Sequence, residues 1–142
     1  MRTGELIRKY RKLRGMTQGQ LAEKCGQSDS AIRNYELGNR TPGEGQVRAI
    51  AGALAISPEA LREVPVDSAR QALELLFRLS NEFGLEPMEV DGMLVLGFDA
   101  KSEKAPKLGA ALHAWKDMAD SERAGNITPK EYALWKLELG SR

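Results

Sequence analysis

The sequence predicts a mainly α fold, with five short helices in residues 1–64 and a small α+β module in residues 65–142 made of one helix, a β-hairpin and two further helices. Three observations carry that expectation. Apolar residues recur at helical spacing along most of the chain. Capping residues precede those stretches at Thr17, Ser28, Ser57, Ser68 and Thr128, and glycine follows them at Gly26, Gly38, Gly84 and Gly125. A tight hairpin signature occurs once, as Asp91-Gly92 between two apolar runs.

The first helix runs from about Thr3 to Arg14, with Leu6, Ile7, Tyr10 and Leu13 on one face. Arg2, Arg8, Lys9, Arg11, Lys12 and Arg14 crowd the rest of that segment. Thr17 and Gln20 form a capping box that opens a second helix, whose apolar face is Leu21, Ala22 and Cys25. Gly26 ends it, because glycine takes the left-handed conformation at no steric cost. Ser28 caps a third helix that turns Ala31, Ile32 and Tyr35 inward and closes at Gly38. Asp29, Ser30, Arg33 and Asn34 fall between those inward positions, all polar and able to hydrogen-bond. A fourth helix near Glu44 to Leu54 buries Val47, Ile50, Ala51 and Leu54. Ser57 is the N-cap of a short fifth helix, with Pro58 at the first position, where its missing N–H costs nothing.

Val64-Pro65-Val66 reads as a linker. Asp67 or Ser68 then caps a helix through Phe83, whose Ala69, Ala72, Leu73, Leu75, Leu76, Phe77 and Leu79 make a stripe too wide for one shallow contact. The hairpin pairs Leu85–Val90 with Met93–Phe98, placing Val90 opposite Met93, Met88 opposite Val95 and Pro87 opposite Leu96. Lys101 to Ala105 is a polar loop. A helix near Pro106 to Ala124 turns Leu108, Ala111, Leu112, Trp115 and Met118 inward. Thr128-Pro129-Lys130-Glu131 opens the last helix with a capping box and an N1 proline, and Tyr132, Trp135 and Leu139 line it.

Composition narrows the chemistry. A chain of 142 residues suits one or two small domains. Its net charge of +1 hides an asymmetry: residues 1–64 hold 11 Lys/Arg against 7 Asp/Glu, and residues 65–142 hold 10 against 13. A basic half joined to an acidic half suits a nucleic-acid reader joined to a partner module. No apolar run approaches the roughly 18 residues that would span a membrane, and the N-terminus lacks a signal-peptide core, so a cytoplasmic protein is expected. Cys25, the single cysteine, cannot form an internal disulfide and reads as a small core residue. His113, the single histidine, excludes a multi-histidine metal site and reads as a surface residue. Trp115 and Trp135 read as core anchors. No catalytic cluster, metal site or cofactor motif is present in the sequence, so no enzyme, metal or cofactor is expected.

From Gly4 to Leu61 the chain resembles the helix-turn-helix domain of the phage-repressor and Cro family, the xenobiotic-response-element type. The carriers are Leu6-Ile7, Arg11 and Leu13, the Met16-Thr17-Gln18 entry, Leu21-Ala22, Gly26, Ser28 and Ile32. Tyr35-Glu36, Gly38, Arg40-Thr41-Pro42, Ile50-Ala51, Ala53-Leu54, Ser57 and Leu61 complete the pattern. The resemblance implies a five-helix, lambda-repressor-like DNA-binding domain over 1–64, with residues 65–142 as a dimerisation or partner-binding domain. It implies that the third helix enters the major groove of double-stranded DNA, presenting Ser28, Asp29, Ser30, Arg33 and Asn34. Gln18 matches the family's phosphate-contacting glutamine, and Arg40 lies where it can take a phosphate or reach the minor groove. The family also pairs an arginine at the place of Arg11 with the glutamate after the recognition-helix tyrosine, here Glu36. Asn34 suits bidentate pairing with adenine and Arg33 with guanine. Two positions depart from the family: Asp29 replaces a frequent glutamine, and Gln27 a small apolar residue.

The expected function is a sequence-specific transcriptional regulator, a homodimeric repressor on an inverted-repeat operator, acting at the bacterial nucleoid. One module buries too little interface for tight specific binding. Residues 66–142 are expected to make the dimer, either with two Met93–Phe98 strands pairing antiparallel across a two-fold axis, since Pro87 blocks the other edge, or with the hairpin packed on its own helices and the contacts made by the Trp115 and Trp135 helices. The alternative is an antitoxin-type autoregulator whose C-terminal half binds a partner protein.

Overall fold

A computed structural model describes residues 1–98 and 105–139. The expected loop Lys101–Lys104 lies outside them, and Ala105 already belongs to a helix. The fold is mostly helical with one two-stranded antiparallel sheet, in the order α1 (Thr3–Leu13), α2 (Gln18–Cys25), α3 (Asp29–Leu37), α4 (Glu44–Leu54), a 3₁₀ turn (Pro58–Leu61), α5 (Ala69–Phe83), β1 (Leu85–Val90), β2 (Met93–Phe98), α6 (Ala105–Arg123) and α7 (Pro129–Glu138). The chain divides into two compact units, Met1–Val64 together with the chain from Thr128 onward, and Pro65–Ile127.

The first unit has a conventional core. Ile7 of α1, Leu21 of α2, Ile32 of α3, Ile50 and Leu54 of α4, with Ile56 and Leu61, are fully buried. Each is an inward position of an amphipathic helix or lies in the turn that follows α4, so helical periodicity alone brings them to one centre. The helix ends are those that the capping residues dictate. The Thr17 hydroxyl accepts from Gln20 N at 3.1 Å while the Gln20 side chain accepts from Thr17 N at 2.9 Å. Ser28 Oγ accepts from Ala31 N at 3.1 Å. Gly26 follows α2 at φ 67°, a conformation that costs any side chain. Gly4 serves differently: a Cβ there would overlap the Tyr35 carbonyl, so a glycine lets the start of α1 cross directly over α3. The fifth element is a 3₁₀ turn rather than an α-helix, and Ser57 does not cap it with its side chain; its hydroxyl instead donates to Glu59 Oε2 at 2.5 Å.

Two expectations about the last helix are corrected. Helix α7 packs in the first unit, not with residues 65–127. Its inward residues are Leu137, 8% exposed within the core, and Leu134 packed against it, while Leu139 is 47% exposed. The helix is tied in by backbone and charge: Ser57 N donates to Leu137 O at 2.8 Å, and Arg14 Nη2 donates to Glu138 Oε1 at 3.0 Å. Arg14 also donates to the Leu54 and Ala55 carbonyls at 2.7 and 2.9 Å, satisfying acceptors at the end of α4. Helix α7 has apolar residues on more than one side, so periodicity did not identify the side that docks.

The second unit has no such centre. The hairpin register is as expected, Val90 opposite Met93, Met88 opposite Val95 and Pro87 opposite Leu96. Asp91 and Gly92 both take positive φ, 52° and 76°, as a type I′ turn requires. Gly109 of α6 is buried, with Phe98 close above it. Yet among the described residues 65–127 no apolar side chain is buried, and Trp115, expected as a core anchor, is 48% exposed. The wide stripe of α5 is unevenly covered: Ala72, Leu76 and Leu79 are half-buried, while Leu73, Leu75 and Phe77 are exposed.

If α7 is part of the first unit's core, Leu137→Ala removes a buried side chain there. It should lower stability by about 2–4 kcal/mol, read as a lower urea midpoint of the unfolding of this domain. An unchanged midpoint would place α7 outside the folded unit.

Candidate nucleic-acid interface

The surface of interest is built on α3 and the start of α2, and one buried ion pair holds both. Arg11 Nε and Nη2 donate to Glu36 Oε1 and Oε2 at 2.6 and 2.9 Å, the bidentate fork that guanidinium geometry favours. The two side chains are 10% and 3% exposed. Arg11 Nη1 donates to Met16 O at 2.7 Å, and Gln18 Nε2 donates to Glu36 Oε2 at 2.9 Å. Helix α1, the loop before α2, the first residue of α2 and the end of α3 therefore meet at one ion pair. Burial pushes the Glu36 carboxyl up, but the hydrogen bonds from Arg11 and Gln18, with the charges of Arg11 and Arg8, outweigh burial and hold it below the usual carboxylate range. The same bonding raises Arg11.

Helix α3 presents a polar face opposite that anchor. Ala31, Ile32, Tyr35 and Glu36 are buried, while Asp29, Ser30 and Arg33 are exposed and Asn34 is half-buried. Positions i, i+1, i+4 and i+5 share one side of a helix, so these four polar residues form one stripe. Ser28 stands exposed at the head of the stripe as the N-cap. Asp29 is the first residue of α3, where the helix dipole favours an acid. Its carboxylate lies close over Gly19 of α2, where a Cβ would sit 3.2 Å from Oδ2. Asn34 joins a loose chain: Nδ2 donates to Ser30 Oγ at 3.5 Å, and Asn39 Nδ2 donates to Asn34 Oδ1 at 3.4 Å. Both are long enough to yield to a base edge at little cost.

Arg40 is exposed in the following loop with its guanidinium 5.8 Å from the Tyr35 ring centroid, a cation–π distance. Gln18 is half-buried and committed through one N–H to Glu36, which leaves its second N–H and its oxygen uncommitted. Ser28, Asp29, Ser30, Arg33 and Asn34 thus lie along one side of α3, and Arg40 beyond its end. Arg33 also lines a concavity together with Arg8, Lys12 and Gln18. Sequence reasoning missed Asn39, whose contact with Asn34 depends on the chain turning back after Gly38. Cys25 is half-buried against the core, and burial pushes its thiol up, which disfavours the reactive thiolate.

The fold and this surface define a DNA-binding helix-turn-helix regulator. Residues 7–61 match the family model described as helix-turn-helix, and this part of the chain belongs to that family, of the phage-repressor and Cro type. A solved chain from a SinR protein–SinI protein complex superposes with a TM-score of 0.45 at 20% identity, over 83% of this chain and 97% of that one. No curated protein matches the chain. Among the described residues, no helix is long and apolar enough to cross a membrane.

The depressed Glu36 value has a testable sign. A carboxyl lowered on folding adds stability above its unfolded value, about 4.3, and that stability is lost as pH falls through the lower folded value. Glu36→Gln should therefore be less stable than wild type near neutral pH and should lose less stability between about pH 5 and pH 3. Parallel pH-stability curves for the two proteins would show that the carboxylate is not linked to folding.

Proposed function

We propose that this protein is a sequence-specific transcriptional repressor that reads an inverted-repeat operator as a homodimer. The observation that carries the reading is the polar stripe Asp29, Ser30, Arg33 and Asn34 on α3, headed by Ser28, in a helix-turn-helix domain whose α1, α2 and α3 meet at the buried Arg11–Glu36 pair. A helix of this kind fits the major groove, where each base pair offers a distinct pattern of donors and acceptors. Asn34 suits adenine, and Asp29 suits the amino group of cytosine. Gln18 and Arg40 supply phosphate contacts that set the docking register.

The test starts with selection of bound duplexes from a random library. Against the selected site, Asn34→Ala should cost about 1–3 kcal/mol and relax preference at one base pair. Gln18→Ala should weaken selected and random duplexes alike. Equal weakening by Asn34→Ala would remove α3 as the reading helix.

The homodimer is assigned to the unit 65–127, within the stretch after residue 65 that the sequence reading allotted to it. Support comes from its uncovered apolar surface: Met93, Leu94 and Leu96 of β2 are 67, 78 and 53% exposed, and Met88 and Val90 of β1 are 45 and 50% exposed. A two-stranded sheet is marginal in water. In a hairpin closed by a two-residue turn, Val90–Met93 and Met88–Val95 are the hydrogen-bonded pairs, so Leu94 and Leu96 turn their N–H groups to the outer edge. Pro87 faces outward on the other edge and offers no donor there. Two β2 strands pairing antiparallel make a four-stranded sheet. Leu96→Pro removes one outer donor and spares the hairpin ladder, so it should turn the dimer into a monomer of unchanged helix content in sedimentation equilibrium. A dimeric, folded Leu96→Pro would exclude the strand pairing. A monomeric wild-type chain would exclude the homodimer and favour the antitoxin-type reading, in which a different protein covers this surface.

A further inference from the structure

We infer that Asn39 is a positioning residue for base reading: it holds the Asn34 side-chain amide in the setting in which that amide meets a base edge. The inference rests on the DNA-binding reading above and adds a residue that serves it through Asn34. The chain brings the two residues together by backbone and by side chain. Gly38 takes φ 77° after α3 and turns the chain back. Asn39 N then donates to Asn34 O at 3.0 Å and Gly38 N to Tyr35 O at 3.1 Å, the paired bonds of a Schellman helix end. Arg40 N adds a further bond to Asn34 O at 3.3 Å. The side chains meet above this turn, with Asn39 Nδ2 donating to Asn34 Oδ1 at 3.4 Å.

The residue types carry the information. In this motif the two positions joined by the long backbone bond commonly hold apolar side chains that pack on each other. Here both are amides, Asn34 half-buried and Asn39 exposed. An amide pair at the surface removes little apolar area from water, so it stabilises the helix end less than an apolar contact would. Its effect falls instead on the Asn34 amide, in the middle of the polar stripe of α3.

That amide is steered from both of its ends. Its Nδ2 donates to Ser30 Oγ at 3.5 Å, and its Oδ1 accepts from Asn39. An asparagine amide has two N–H groups and two lone pairs on its oxygen, so one of each stays available. One donor beside one acceptor is what the N7 and N6 edge of adenine matches. Both internal bonds can stay in place during that pairing. A side chain left to rotate would lose its freedom on docking, a cost in affinity that ordering it beforehand removes. Asn39 supplies that order without itself reaching a base.

The experiment measures affinity for the selected duplex, for each of its single base-pair variants and for a random duplex. The proteins are wild type, Asn34→Ala, Asn39→Ala, Asn39→Asp and the double variant Asn34→Ala with Asn39→Ala. Asn39 lies outside the left-handed region, so alanine keeps the backbone turn. Asn39→Ala should reduce preference at one base pair by about 2- to 10-fold, the worth of one hydrogen bond, with random-duplex binding and the urea midpoint unchanged. That base pair should be the one at which Asn34→Ala relaxes preference. Asn39→Asp keeps the shape but can only accept, so it should relax the same pair. In the double variant Asn39→Ala should add nothing to Asn34→Ala, because Asn39 acts through Asn34 alone. An Asn39→Ala effect that persists in the Asn34→Ala background would overturn the positioning role, since Asn39 would then act on the DNA itself. Full preference kept by Asn39→Ala or Asn39→Asp, while Asn34→Ala relaxes it, would also overturn that role and leave α3 as the reading helix. A wild-type protein that binds neither duplex, or Asn34→Ala that weakens both alike, would overturn the reading by α3 and this role with it.

Discussion

The Glu36 carboxylate is the constraint on which the DNA-binding unit turns. Three donors, two from Arg11 and one from Gln18, converge on it from α1 and α2, while its own backbone belongs to α3. Hydrophobic burial brings these helices together but does not set their register, because apolar contact is non-directional. A bidentate fork does set it, since guanidinium and carboxylate meet in one plane and at one spacing. Burying such a pair adds little net stability, but removing one partner costs several kcal/mol because it strands the other charge. Its consequence is positional: the polar edge of α3 and the amide of Gln18 face outward in a fixed relation because their inner neighbours are tied to the same arginine.

That arrangement gives one nine-residue helix a polar side and a buried side. Its polar side, Asp29, Ser30, Arg33 and Asn34, is loosely bonded. Arg33 also shares a concavity with Arg8 and Lys12. Tyr35 and Glu36 fill the inner side, and the close crossing at Gly4 lets α1 reach it. A short helix suffices because its inner side needs only four buried residues in a unit whose core is completed by α4, the 3₁₀ turn and α7.

The unit from Pro65 to Ile127 follows a different logic. Its capping is complete, with Ser68 accepting from Gln71 N at 3.2 Å, and its hairpin turn is well formed, so local structure is fully specified. Among the described residues its apolar side chains are not buried: Met93, Leu94 and Leu96 of β2 stand at 53 to 78% exposure. Large exposed apolar patches on a folded unit mark interaction surfaces. The unit is also joined to the first one twice, through the chain after Leu61 and the chain before α7, because α7 returns to the DNA-binding core.

What the sequence by itself determined was local. Thr17, Ser28, Ser68 and Thr128 announced helix starts because a side-chain oxygen satisfies an amide three residues on, a relation confined to a few residues of chain. Asp91-Gly92 set the strand register for the same reason: a two-residue turn leaves one pairing. The Arg11–Glu36 pair, 25 residues apart, was legible only through family resemblance, since no local rule joins them. Tertiary structure decided what depends on who the neighbour is. It placed α7 in the first unit through Leu137 rather than Trp135 or Leu139, because a helix with apolar residues on several sides docks on whichever finds a complementary hollow. It left Trp115, on a face that helical spacing makes apolar, 48% exposed. It turned Arg33 toward Arg8 and Lys12, a convergence of charges from two helices that no spacing within either helix could encode.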